Sequence, residues 1–135
     1  MAKTVLINPQ VVINSVNLSA WFDQVSIEES FADVDTTAFG STAKTRIAGL
    51  GDHKFTAEIQ QDFAGSAVDQ TLSPLVGTTT TVAVLAVAGV TSSTNPSWTF
   101  SVLVTDYKPL SGKIGDLEKV SVTWPISGAV TRATS

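Results

Sequence analysis

The strongest order in this chain is a period of two. Val25, Ile27 and Phe31 share one phase, with Ser26, Glu28 and Ser30 on the other. Phe55, Ala57, Ile59 and Phe63 repeat the pattern against Thr56, Glu58 and Asp62. Trp98, Phe100, Val102 and Val104 give a third series, and Val120, Val122 and Trp124 a fourth. Successive strand residues point to opposite faces, so each series predicts a half-buried strand. Glu29 breaks the first series by standing on its apolar phase. Val11 to Leu18 predicts a short hairpin turning near Asn14-Ser15. Thr79 to Ala88 is an unbroken run of Thr, Val, Ala and Leu, which predicts a strand covered on both faces.

One segment follows a helical rhythm instead. Between Ser66 and Val76, the apolar residues Val68, Leu72, Leu75 and Val76 fall on one stripe of a short helix. Ser66 and Asp69 have capping-box spacing, Gly77 suits the residue that closes a helix, and Pro74 shortens or bends the last turn. The expected fold is therefore mainly β: a β-sandwich or barrel-like fold with one short flanking helix at about 66–76. Residues 35–52 are rich in Thr, Ser, Ala and Gly and read as one long loop. Such a length is too great for a passive connection and points to function. Val90 to Ser97 reads as a turn. Neither repeats nor an interdomain linker interrupt the chain, so a single domain over residues 1–135 is expected.

Composition narrows the function. Charged residues make up 15% of the chain, against about 25% in ordinary soluble domains. Ser and Thr fill 33 of the 135 positions. Hydroxyls cost less to dry than ions, so this composition suits a surface largely covered by neighbouring subunits. A secreted β-module with a Thr-rich face would have the same composition. The Met-Ala-Lys-Thr-Val-Leu-Ile-Asn-Pro start carries no leader pattern. The longest apolar run, Val82 to Val90, is about half a membrane helix, so no membrane insertion is expected. The net charge is −4, and the stretch from Thr4 to Ala43 holds Asp23, Glu28, Glu29, Asp33 and Asp35 with no base. Simple electrostatic attraction to DNA is disfavoured.

Candidate chemistry is scarce. The chain has no Cys and one His, so neither a thiolate site, a hydrolytic triad nor a zinc site can be completed. His53 follows Asp52, but strand neighbours face opposite ways and do not pair. His53 is expected to be an ordinary surface residue. Glu28, Glu29, Asp33 and Asp35 lack the spacing of a calcium loop and read as a solvated face rather than as a cation site or a glycosidase pair. Gly49-Leu50-Gly51 is an incomplete dinucleotide fingerprint, and Ser111-Gly112-Lys113 has Tyr107 where a phosphate loop needs its first Gly. Trp98 and Trp124 are in phase with aliphatic neighbours and are expected in the core, while Trp21-Phe22 is open to either placement. The sequon Asn17-Leu18-Ser19 reads as a chance match. No catalytic residue, metal or cofactor is expected, and the chain is not expected to be an enzyme. The uncharged strand from Thr78 to Val90 would be an aggregation hazard on a sheet edge, and pairing with a neighbouring subunit would remove it.

Three stretches, taken in order, resemble the major tail protein, or tail tube protein, of long-tailed bacterial viruses. The first is Asp35-Thr36-Thr37-Ala38-Phe39-Gly40, followed by Lys44, Arg46 and the Ala48-Gly49-Leu50-Gly51-Asp52 turn into a strand. The second is the Asp69, Leu72 and Leu75 helix before a Thr-rich strand. The third is Lys119-Val120-Ser121-Val122-Thr123-Trp124-Pro125-Ile126-Ser127-Gly128. The resemblance implies a virion structural protein whose subunits form rings, typically hexameric, that stack into a hollow tube with a continuous inner barrel. It implies other tail proteins as partners and transient, non-specific passage of DNA through the lumen. It also implies synthesis in the host cytoplasm and residence in the virion tail. The long loop, with Asp35, Thr36, Thr37, Phe39, Gly40, Lys44, Arg46, Gly49, Leu50 and Asp52, becomes the inter-subunit and inter-ring contact, anchored by Phe39 and Leu50. Glu28, Asp33 and Asp35 become candidates for an acidic lumen lining. The alternative is a small extracellular β-sandwich binding module for a carbohydrate or protein ligand, which exposed Trp21 and Trp98 would favour. A loop that orders only between chains would favour the tube.

Overall fold

The computed structural model describes residues 5, 7–110 and 112–134. The rest of the amino-terminal stretch read for a leader, and Ser111 of the rejected phosphate-loop reading, lie outside the described residues. The strands are β1 (Gln10–Ile13), β2 (Val16–Asn17), β3 (Phe22–Glu28), β4 (Phe31–Asp35), β5 (Arg46–Gly51), β6 (Lys54–Gln60), β7 (Thr79–Leu85), β8 (Ser97–Leu103) and β9 (Lys119–Ala133). Seven of them form one sheet in the order β2-β1-β7-β8-β9-β6-β3, paired antiparallel throughout. The other two, β4 and β5, form a separate ribbon. The large sheet curls into a half-barrel around its apolar face.

β9 holds the two halves of this sheet together. Lys119 to Pro125 pair with β6, and Ile126 to Ala133 pair with β8. The change of partner falls at Pro125, which has no N–H to extend a ladder. Beyond it, Gly128 takes a left-handed φ of 91°, beside a register shift between Thr99 and Ser101. This is a bulge that bends the strand and raises its twist. The hairpin predicted at Asn14-Ser15 is present. Both turn residues have positive φ, as the tight two-residue turn between β1 and β2 requires.

The alternating series supply the core. Phe55, Ile59, Val82, Phe100, Val102, Val120, Val122 and Trp124 all point into it. Trp124 is fully buried, lies 6.0 Å from the Phe55 ring, and donates its indole N–H to the Asp106 carbonyl at 2.9 Å. Trp98 is only half-buried at the core margin. The helix is shorter than its stripe: α1 covers Val68–Leu72, then a 3-10 turn at Ser73–Leu75 accommodates Pro74. Gly77, at φ +82°, closes the segment as expected.

Several expectations are corrected. The predicted capping box does not form: the N-cap is Ala67, and no side chain caps the helix. Asp69 instead accepts the Tyr107 hydroxyl at 2.8 Å. Phe31 and Phe63 leave their series, because β3 ends at Glu28 and β6 at Gln60; both rings are exposed. Glu29 is off phase for the same reason, lying where the chain leaves the sheet. β7 is covered on one face, with Val82 and Val84 inward and Thr79 and Thr81 exposed. It is also an interior strand between β1 and β8. Its edge hazard is therefore met within the chain and gives no argument for a neighbour.

Candidate functional site

Residues 35–52 are not one loop. The Val34, Ile47 and Ala48 region is β-competent, and the chain folds back on itself to pair Asp35 with Arg46, Val34 with Ile47, Asp33 with Ala48 and Phe31 with Gly51. Only residues 36–45 remain loop between the two strands. The loop has internal order within the single chain, whereas a loop that orders only between chains would have favoured the tube. The Thr36 amide donates to the Thr45 carbonyl at 2.8 Å, and the Thr45 amide donates to Thr37 Oγ1 at 2.9 Å. Thr36 and Thr45 hydroxyls meet at 2.9 Å. The Thr37 amide donates to Asp35 Oδ1 at 2.9 Å. The Thr37 hydroxyl and amide together hold the Asp35 carboxyl below its ordinary range. Gly40, at φ +90°, turns the tip beside Phe39.

The result is an arm. A ribbon of two strands is marginal in water unless something packs on it. Here every β4 residue is exposed, and so is nearly every β5 residue. Phe39 at the tip is 108% exposed, Leu50 89% and Ile47 60%. Val34 and Ile47 share one face, where Gly49 leaves room for Ala32 and Val34. Asp33 and Arg46 form an ion pair at 3.3 Å, which contributes little because both side chains are solvated. Lys44 in the tip is exposed, and no ion pair engages it among the described residues.

The root of the arm is rigid where its tip is bare. The Asp52 amide donates to the Ser30 carbonyl at 2.7 Å. The Ser30 amide donates to His53 Nδ1 at 3.2 Å, and the edge of the Phe31 ring meets the His53 ring at 5.2 Å. The His53 carbonyl accepts from the Ile126 amide at 2.9 Å. His53 is thus buried, not the surface residue expected, and serves as the pin between arm and sheet. Its Nδ1 acts as an acceptor, which places the ring proton on Nε2.

The acidic residues proposed for the lumen are divided. Glu28 ends β3, opposite Lys54 and on the polar outer face of the sheet. Asp33 and Asp35 belong to the arm. On the same outer face, Lys119 Nζ lies 2.6 Å from Asp23 and 3.7 Å from Glu58. No group of three or more metal-ligating side chains converges among the described residues. Tyr107 is tied down rather than poised. Its hydroxyl bonds Asp69 and accepts from Gln61 Nε2 at 2.9 Å, and burial pushes its phenol up to about 12.

A second feature escaped the sequence reading. Between β3 and the far ends of β7 and β8 lies a groove of about 560 Å³, lined by Val25, Ile27, Val84, Leu85 and Trp98, with Glu29 at its edge. The available signal was the off-phase Glu29 beside half-buried Val25 and Ile27. Trp21 is half-buried too, and its indole N–H is spent on Asp62 at 2.9 Å.

No family model and no curated protein matches the chain. Solved structures do. A chain in the virion of a native gene transfer agent particle superposes with a TM-score of 0.72 at 12% identity, covering 93% of this chain and 95% of that one. A chain in the tail of an empty gene transfer agent particle, refined with C6 symmetry, gives 0.59 at 14% identity over 82% and 81%. A chain in the six-fold symmetrised baseplate of the anti-feeding prophage gives 0.56 at 10% identity over 98% and 97%. The fold is one found in virion, tail and baseplate assemblies. At these identities the likeness is one of backbone architecture, the half-barrel with its flanking helix.

Proposed function

We propose that this chain is a non-enzymatic structural subunit of a virus-type tail. In this reading residues 1–135 are one tail-tube-like β domain that assembles into rings, and the rings stack into a tube for DNA delivery. The observation that carries the reading is the arm: an ordered ribbon, rooted on a buried His53, whose apolar side chains have no cover among the described residues. Six subunits per ring is the stoichiometry we favour, by analogy with the C6 and six-fold symmetry of the neighbours. The arm residues from Asp35 to Asp52 make the inter-subunit and inter-ring contact, with Phe39 and Leu50 as anchors. Other tail proteins cap the tube ends, the location is the virion tail, and synthesis is in the host cytoplasm.

The lumen surface fits the outer face of β3, β6 and β9. There Ser26, Thr56 and Thr123 lie in one row, with Glu28 and Glu58 beside them. The cations on this face, Lys54 opposite Glu28 and Lys119 held by Asp23 and Glu58, stand beside carboxylates, so phosphates meet little free counter-charge and DNA slides without adhering. Asp33 and Asp35 travel with the arm and are assigned to the lumen only where the arm lies along it.

The binding-module reading asked for exposed Trp21 and Trp98, and both are half-buried. The test is negative-stain microscopy with light scattering across a concentration series, on the full chain and on a variant whose residues 32–50 are replaced by a short Gly-Ser turn. Uniform rings or tubes that vanish in the armless variant are expected. A strictly monomeric full chain at high concentration, also in the presence of a tail-tip extract, would refute the proposal.

A further inference from the structure

Among the described residues, nothing covers the apolar tip of the arm and nothing fills the apolar groove. We infer that the groove of Val25, Ile27, Val84, Leu85 and Trp98 is the acceptor for the Phe39 tip of a second copy. This rests on the assembly reading above and specifies which surfaces meet.

Four observations support the pairing. Phe39 is fully exposed, so it does not fold back into its own chain's groove. The hollow, at about 560 Å³, takes a phenyl ring with its flanking residues, and its walls are mainly apolar with the Trp98 indole among them, Ser26 and Glu29 being the polar members. The charges match: the groove edge carries Glu29, and the arm tip carries Lys44, and neither has an ion-pair partner among the described residues. Reach also suffices. Eight residues separate Phe31 from Phe39, which at about 3.3 Å each spans up to roughly 25 Å, enough to cross to an adjacent subunit. A second hollow, between Asn14, Val16, Gln70 and Leu75, is about half the size and its lining is more polar, so it suits Phe39 less.

The geometry has a further implication. An arm that departs beside Glu29 and enters the equivalent site of the next copy is a head-to-tail contact. Such contacts close into rings or run on as helical stacks. Each copy is at once donor and acceptor, and the groove is adjacent to the root of the arm, so filling one positions the other.

The chain has no cysteine, which makes disulfide trapping clean. The variant A38C/A86C keeps Phe39 and places one thiol beside it at the arm tip and one in the groove wall. Oxidised after assembly, it should run as a ladder of covalent multimers on non-reducing gels, whereas A38C and A86C alone should give at most dimers. Rings or tubes that form but yield no ladder would overturn the groove assignment and leave the assembly reading intact. Absence of any assembly in the unmodified chain would overturn both. Charge exchange supplies a second test that does not depend on a tolerated cysteine. E29K and K44E should each weaken association, and the E29K/K44E double variant should restore it; failure to restore counts against the pairing. Phe39→Ala should weaken self-association by about tenfold to a hundredfold, the equivalent of burying one phenyl ring.

Discussion

Substituting Gly51 by Ala tests the root of the arm through the sign of its effect. Gly51 lies in extended strand, where replacing Gly by Ala ordinarily stabilises by about 0.4–1 kcal/mol through the unfolded chain. Here an added Cβ would stand 2.8 Å from His53 Nε2, 2.9 Å from its Cε1 and 3.1 Å from Phe31 Cε2. His53 is not free to step aside, because it is buried and its Nδ1 holds the Ser30 amide. Overpacking of this kind costs about 1–3 kcal/mol, and loss of the Ser30 bond adds about 0.5–1.5 kcal/mol. After the ordinary gain is subtracted, Gly51→Ala should destabilise by about 0.5–4 kcal/mol, centred near 2. For a chain of this length that corresponds to a Tm lower by roughly 2–14 °C. Urea unfolding followed by tryptophan fluorescence measures the loss, and hydrogen exchange at Ser30 should quicken as the pin loosens. Gly49→Ala is the control. Its Cβ would meet Ala32 Cβ and Val34 Cγ2, both at 3.0 Å. The exposed Val34 methyl can turn toward solvent, and Ala32 yields only as the solvent-exposed ribbon opens slightly, a strain that offsets the ordinary gain, so a change within about 0.5 kcal/mol is expected. A Gly51→Ala protein as stable as the parent, with Ser30 still protected, would refute the buried-pin description of His53.

Other consequences can be checked directly. The Thr80 hydroxyl is buried with no hydrogen-bond partner, so Thr80→Val should stabilise the fold by about 0.5–2 kcal/mol in a urea melt. Tyr107→Phe removes the bonds to Asp69 and Gln61 and should cost about 1–2 kcal/mol in the same assay. Asp23 is held below its ordinary value of 3.8, chiefly by its bond to Lys119. The folded state therefore binds fewer protons than the unfolded chain in that range. Its contribution is present above about 3.8 and fades as pH falls through the lowered folded value, and Asp23→Asn should flatten that acid limb of the stability curve. Asp35 behaves with the same sign, so acidification through that range should release the Thr37 cap and speed amide exchange at the arm tip.

Much of the fold could be read from alternation alone, because a sheet with one wet face writes a period of two. Phe55, Phe100, Val122 and Trp124 needed no further information. Phe31 and Phe63 misled for a physical reason: apolar phase continues past a strand end, since nothing in a single side chain says where the backbone turns. His53 was misread because its burial depends on Ser30, from the β3–β4 connection, and Phe31, from the start of β4. The Gly-rich stretch from Asp35 to Asp52 looked like loop because Gly and Thr dilute strand propensity, while cross-strand pairing of Val34 with Ile47 overrides it. Residues 35–52 were legible as a segment apart from the core. The groove was not, because it is made by β3, β7 and β8 together.

The partner exchange along β9 has a consequence for how the molecule is made. The strand that joins the two halves in space is synthesised after all the others described. Until it emerges, β6 with β3 and β8 with β7 and β1 are two fragments with a raw edge each, facing a gap one strand wide. Long-range closure of this sort is slow and leaves those edges open to wrong partners. It would also act as a timer under the proposed assembly: the arm and the groove are held at a fixed separation only once β9 is in place, so incomplete chains would be poor recruits.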